Sequence, residues 1–227
     1  PQKLLLFDID GTLLLAGGAG KVALEQAFQE LFGIPECWGN LDPHGRTDAS
    51  IFDEIAGRCL GRLLTRDEFD RLMRRYETLF EDRIMTAACY ELMPGVTRLL
   101  EYLSKEPGIF LALATGNFEG AGRMKLKRGK IEHYFKAGGF GMDSRERHKI
   151  LLAAVEHAES VSGKSFSKTD IYVIGDTEYD VAAAKKAGLK SIAVLTNGRT
   201  GSDFKNDPPD HILKDLTDIS GFMECLR

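Results

Sequence analysis

Four cysteines in 227 residues, with no C-x-x-C pair and no zinc-like spacing, give this sequence neither a disulfide frame nor a thiolate metal site. Cys37, Cys59, Cys89 and Cys225 are expected to be reduced thiols in a cytoplasmic protein. The five histidines form no H-E-x-x-H or other ligand set and read as surface or loop residues. No apolar run approaches the roughly 20 residues that span a bilayer. No basic leader precedes the opening strand, so neither a membrane span nor a signal peptide is expected. A formal net charge of −4 lacks the clustered basic excess of a nucleic-acid partner. The densest basic run, RMKLKRGK over 123–130, reads as the solvated face of a helix. There is no G-x-G-x-x-G, and GGAGKV over 17–22 lacks the earlier glycine and the Ser/Thr of a nucleotide-binding loop.

What the sequence does have is LLLFDIDGTLL over 4–14. Leu4 to Phe7 are continuously apolar, the pattern of a strand buried on both faces of a parallel sheet. Asp8 and Asp10 follow at once, and charges at the end of such a strand must be solvated, paired or metal-bound, because a bare buried carboxylate costs several kcal/mol. Gly11 permits the turn.

Apolar runs of the same kind recur at IFLALAT (109–115), IYVIGD (171–176) and SIAVLT (191–196), with a short strand near 135–140 and HIL near the end as an edge strand. Helical patterns fall between them, at about 118–129, 144–159 and 178–187, with Pro94 suited to the first position of another. This alternation predicts an α/β fold, a doubly wound parallel sheet with helices on both faces. One stretch departs from it. Leu24, Ala27, Phe28 and Leu31, then Ile51 to Leu60, then Phe69 to Phe80 are apolar stripes at helical spacing with no strand between them. Residues 16–90 are therefore expected to form an inserted helical domain, and 1–15 with 91–227 the core. Doubly wound sheets bind ligands beyond the carboxyl ends of their strands. Asp8 and Asp10, Thr115-Gly116-Asn117, and Asp176-Thr177 all fall at such ends, so three distant segments are predicted to meet in one crevice.

The segment Asp8-Ile9-Asp10-Gly11-Thr12 resembles the first motif of the haloacid dehalogenase-like hydrolases, and the later clusters follow in that family's order. The resemblance points to its phosphatase branch with a helical cap. It implies Asp8 as nucleophile on phosphorus and Asp10 as general acid and base, and it implies that Thr115, Gly116 and Asn117 hold the phosphoryl oxygens. It also implies Mg²⁺ bound by Asp8, the backbone carbonyl of Asp10 and Asp176, with Asp180 as a further acidic position. A capping role for Asp176 and Thr177 on the following helix is the simpler alternative.

The family's Lys-Pro is missing here. By spacing, Arg145, Arg147 and Lys149 are candidates to steady the nucleophile, Lys125 is another, and Arg147 is favoured. Within the insertion, Arg46 and Thr47 are candidates for substrate contact, against a plainer reading in which Thr47 or Asp48 caps a helix and Arg46 is solvated. The activity implied is Mg²⁺-dependent hydrolysis of a small phosphorylated metabolite through an aspartyl phosphate. A phosphosugar mutase and a phosphate-binding protein with little turnover are the alternatives. The sequence specifies neither the leaving group nor the oligomeric state.

Overall fold

The computed structural model describes residues 2–227. Its main sheet has six parallel strands: β1 (Lys3–Phe7), β4 (Ile109–Ala114), β5 (Ala137–Gly139), β6 (Ile171–Gly175), β7 (Lys190–Val194) and β8 (His211–Leu213). They lie in the order β5-β4-β1-β6-β7-β8. β1 sits between β4 and β6, where the strand order reverses, and Leu4 to Phe7 are fully buried there. The register pairs Phe7 with Leu113 on one side and with Ile174 on the other. Asp8 lies one residue beyond this level and Thr115 and Asp176 two, so all three emerge close together at the carboxyl ends of adjacent strands.

Strand alternation divides the core in two. Leu5 and Phe7 pack with Leu111, Leu113 and Ile174 against α4 (Val96–Leu103), α5 (Glu119–Arg128) and α8 (Ile219–Cys225), where the Phe222 ring stacks on Phe7 at 6.3 Å. Leu4 and Leu6 face the other way, against Leu151 and Ala154 of α6 (Arg147–Ser162) and Ala183 and Ala184 of α7 (Glu178–Ala187). By parity Asp8 belongs to this second face, on the side of α6 and α7.

Between the first and second strands of the main sheet run α1 (Ala19–Phe32), α2 (Asp48–Leu60) and α3 (Arg66–Thr86), which share their own apolar cluster. Capping boxes start two of them, Thr47 with Ser50 for α2 and Thr65 with Glu68 for α3. Gly33 and Gly61 end α1 and α2 in the left-handed region. Two core residues, Phe118 and Ala121, complete this cluster. Phe118 meets Phe52 edge-on at 5.1 Å.

Two details differ from the sequence reading. The small-residue stretch after Gly11 holds a strand, β2 (Leu14–Ala16), pairing antiparallel with β3 (Tyr90–Leu92) as a ribbon at the base of the helical insertion. Three-residue strands are too short for a readable period. Pro94 is not the first residue of its helix either: α4 starts at Val96 behind Gly95, whose φ of 84° only glycine adopts readily. A Cβ there would also lie 2.2 Å from the Leu216 backbone.

Phe118 joins the two hydrophobic clusters' territories, so Phe118→Ala is expected to lower the unfolding free energy by about 3–5 kcal/mol, as for other buried Phe truncations. Urea denaturation measures it, and a loss below about 1 kcal/mol would show that the ring is not a packing anchor.

Candidate active site

The nucleophile candidate, Asp8, is a buried carboxylate paired with a single cation at the mouth of the sheet. Asp8 is 6% exposed, and its Oδ2 accepts from Arg147 Nη2 at 2.8 Å. Arg147, the first residue of α6, also donates through Nε and Nη2 to Asp180 Oδ1 at 2.8 and 2.6 Å. Asp180 in turn completes the capping box of α7, its Oδ2 accepting from Thr177 N and Oγ1 at 3.1 and 2.7 Å. One guanidinium thus ties two buried carboxylates together. Burial opposes the charge on Arg147, but Asp180 and Asp8 outweigh it and hold the guanidinium protonated above its ordinary range.

Asp176 is treated differently. It is 1% exposed, Thr12 Oγ1 donates to its Oδ1 at 3.4 Å, and its Oδ2 has no hydrogen-bond partner. Arg199 Nε lies 3.7 Å from that oxygen without forming a hydrogen bond. Burial, then Asp180 and Asp8, push the Asp176 carboxyl up to about 8, although Arg199 opposes this. Burial pushes Asp8 up to about 6, with Arg147 opposing and Asp180 and Asp10 adding to the rise.

These residues fit a hard divalent cation. Carboxylate oxygens of Asp8, Asp176 and Asp180 lie within 4.8 Å of one another, and one Asp176 oxygen is buried with nothing to bind. Gly11 keeps the place clear, since a Cβ there would sit 2.3 Å from Asp176 Oδ2. Asp180 has both oxygens engaged by Thr177 and Arg147, so Asp8 and Asp176 are the carboxylates with ligand capacity to spare.

The second aspartate has a separate cation. Lys125 Nζ donates to both Asp10 oxygens at 2.8 and 2.7 Å and to Asn117 Oδ1 at 2.6 Å. Asn117 Nδ2 donates to Asp10 Oδ2 at 2.8 Å and to Thr115 Oγ1 at 2.7 Å. With its carboxylate so engaged, Asp10 has its main-chain carbonyl left to offer an ion. This overturns the reading of 123–130 as wholly solvated: Lys125 is 6% exposed, and Arg128 turns to the carbonyls of Ile84 and Ala87. Of the other basic candidates, Arg145 is exposed and paired with Asp53 of α2, and Lys149 is exposed and paired with Glu146.

Thr115, Gly116 and Asn117 form the turn between β4 and α5, with Thr115 and Asn117 buried. The helical insertion reaches the core at this turn. Asp48 N donates to Gly116 O at 2.8 Å, and Asp48 Oδ2 accepts from Phe118 N at 2.8 Å. A Cβ on Gly116 would lie 2.3 Å from Arg46 O. Arg46 is paired with Glu54, and Thr47 is 2% exposed with its hydroxyl accepting from Ser50 N at 3.1 Å. Arg46 borders the cavity, whereas the Thr47 side chain serves as the N-cap of α2. Asp48, not singled out from the sequence, also borders it. Burial, opposed by Lys125 and the Phe118 N–H, pushes Asp48 up to about 6.

A cavity of about 540 Å³ opens over this mouth, bounded by Asp8, Asp10, Thr115, Asn117, Lys125 and Arg147 below and by the helical insertion above.

The fold, with paired aspartates after its central strand and a basic and an acidic partner at the neighbouring strand ends, defines a hydrolase site of a known kind. The chain belongs to the haloacid dehalogenase-like hydrolase family, whose pattern it matches over residues 5–194. It is 26% identical over 230 residues to phosphoglycolate phosphatase of Vibrio vulnificus, covering 96% of this chain and 94% of that one. It is 25% identical over 228 residues to "Probable phosphatase IndB" of Dickeya dadantii, covering 99% and 95%. In fold it is similar to "Putative beta-phosphoglucomutase" from Bacteroides vulgatus, with TM-score 0.67, 22% identity and coverage of 99% and 88%.

Asp8 and Asp176 have folded pKa values raised above the ordinary 3.8, to about 6 and about 8. Their contribution to stability is full below about pH 4 and is lost as pH rises through those values. A bound divalent cation reverses the loss by favouring the ionised forms. Mg²⁺ is therefore expected to raise the melting temperature more at about pH 8.5 than at about pH 5. Asp176→Asn is expected to remove that gain and to stabilise the chelator-treated protein at the higher pH. Equal gains at both pH values in thermal scans would refute the assignment.

Proposed function

We propose that this chain is a Mg²⁺-dependent phosphatase that hydrolyses a small phosphorylated metabolite through an aspartyl phosphate on Asp8. The observation that carries this reading is the joint placement of Asp8 and Asp10 at the floor of one cavity, each held by its own cation, beside an Asp176 oxygen with no partner. The names of the sequence relatives, phosphatases, support the same class.

Asp8 attacks phosphorus, forming a carboxyl O–P bond as the bond to the leaving oxygen breaks. Asp10 gives its proton to that oxygen, then takes one from the water that hydrolyses the acyl phosphate. Arg147 orients the Asp8 carboxylate, and Lys125 with Asn117 fixes Asp10. Thr115 Oγ1 and the Gly116 N–H meet the phosphoryl oxygens, since the Thr115 N–H donates to Gly139 O and the Asn117 N–H to Thr115 Oγ1. Asp8, Asp176 and the Asp10 carbonyl would hold a divalent cation, which would supply neutralisation of the phosphoryl charge.

In this reading 1–15 and 91–227 form the catalytic core and 16–90 the substrate-selecting cap, supported by the cap's separate apolar cluster. Four free thiols suit a cytoplasmic setting. No helix among the described residues is long and apolar enough to cross a membrane.

With a generic aryl phosphate, hydrolysis is expected to require Mg²⁺ and to fall at least about a thousandfold in Asp8→Asn, the scale of losses for nucleophile removal. Arg147→Ala and Lys125→Ala are each expected to cost at least about a hundredfold in kcat, and Arg145→Ala and Lys149→Ala less than about threefold. Turnover surviving in Asp8→Asn would remove the nucleophile assignment. Isomer formation from a sugar phosphate without phosphate release would replace hydrolase by mutase.

A further inference from the structure

The far end of the cavity is apolar and aromatic. Leu24, Ile51, Phe52, Trp38 and Tyr76 line it. The aromatic walls are fixed: Trp38 Nε1 donates to Leu41 O at 2.9 Å, and Phe52 meets Tyr76 edge-on at 5.7 Å. A rigid aromatic slot takes a flat or cyclic body at low entropic cost.

The charges around it are equally specific. Arg46 is neutralised by Glu54, and the His44 ring lies on Asp42. Lys125 and Arg147 are taken by Asp10 and by Asp8 with Asp180. Lys21 borders the cavity from the first turn of α1 but is exposed, so water screens it. Asp48 instead adds a carboxylate at the wall, anchored through one oxygen by the Phe118 N–H. A second anionic group on a substrate would meet no desolvated cation there and would meet a like charge.

Tyr76 supplies the polar handle. It is 4% exposed, and among the described residues no protein group hydrogen-bonds to its hydroxyl. Burial, with Asp48 next, holds the phenol well above its ordinary pKa, so it stays a neutral donor. Tyr76 lines the cavity, so water or a ligand there can meet its unpartnered hydroxyl.

We infer that the cavity takes phosphomonoesters with an uncharged, ring-bearing leaving group that carries a neutral polar group for Tyr76, and rejects leaving groups with a second anion. The inference rests on the phosphatase reading for the phosphoryl end of the site. It sets this chain apart from what the name of its phosphoglycolate phosphatase relative says of that protein.

The chain has a single tryptophan, Trp38, which lines the cavity and reports binding directly. Benzyl phosphate, 3- and 4-hydroxybenzyl phosphate, phosphoglycolate and pyrophosphate would be compared by kcat/KM on the intact enzyme with Mg²⁺. The same compounds would be compared by Trp38 fluorescence titration of Asp8→Asn. The ring compounds are expected to be favoured by at least about tenfold in both. Asp48→Asn keeps an acceptor for the Phe118 N–H and is expected to narrow the ratio against phosphoglycolate at least about threefold. Tyr76→Phe is expected to weaken one hydroxybenzyl phosphate by about tenfold relative to benzyl phosphate. Phosphoglycolate or pyrophosphate bound as well as the ring compounds overturns the inference, and an unchanged ratio in Asp48→Asn overturns its charge argument. If nothing is hydrolysed, including a generic aryl phosphate, the hydrolytic reading fails while the Trp38 titration still decides this one.

Discussion

The arrangement depends on an imbalance of buried charge. Asp8, Asp176 and Asp180 bring carboxylate oxygens within 4.8 Å of one another, and only Arg147 forms ion-paired hydrogen bonds with any of them. Ionised carboxylates cannot share a low-dielectric corner without compensation. The register of β1 against β4 and β6 forces them together all the same, because it levels the ends of the central strands. The corner answers unevenly: Asp180 is fully hydrogen-bonded, Asp8 is half engaged, and Asp176 keeps an oxygen with nothing bound. That gradient is what sorts a structural carboxylate from two that can act on an ion or a phosphoryl group.

Strand parity explains why two cations serve two aspartates. Even-numbered β1 residues face α6 and α7, so Asp8 turns toward Arg147 at the start of α6. α5 packs on the opposite face through Leu126, and its Lys125 reaches Asp10, which lies beyond the end of β1 and so outside its alternation. The basic group beside Asp8 is an arginine with a wide fork. Arg147 can hold Asp180 and Asp8 together, which a lysine's point charge does less well.

Much of this was legible because buried parallel strands write themselves as apolar runs and their carboxyl ends as abrupt polar residues. β1, β4, β6 and β7 were readable for that reason, and so were the clusters that follow the first three. The helices of the insertion showed in their stripes, and the plainer reading of Thr47 or Asp48 as a cap is met by Thr47, which accepts from Ser50 N. Lys125 showed only as one of four basic candidates for the nucleophile's partner, since a lysine among four other basic residues reads as surface. Only its place two turns past Asn117 on α5 aims it back into the mouth. Asp48 was hidden for a related reason. An acid in the first turn of a helix normally answers the helix dipole, and nothing local shows that this one also accepts a bond from Phe118, 70 residues further along.

The insertion is held over the mouth by directed bonds more than by surface charge. Asp48 bonds to Gly116 and Phe118 through its own N–H and carboxylate, and Arg128 donates to Ile84 O and Ala87 O at the end of α3. The exposed pair Arg145 with Asp53 adds little, because a solvated ion pair contributes about 0–1 kcal/mol. Gly116 lies between the two parts with its carbonyl on Asp48 and no room for a Cβ. The turn proposed to meet a phosphoryl group is therefore also the turn on which the insertion rests. Floor and roof of the cavity share one short piece of backbone, so the shape of the apolar slot is set by the same residues that set the phosphoryl end.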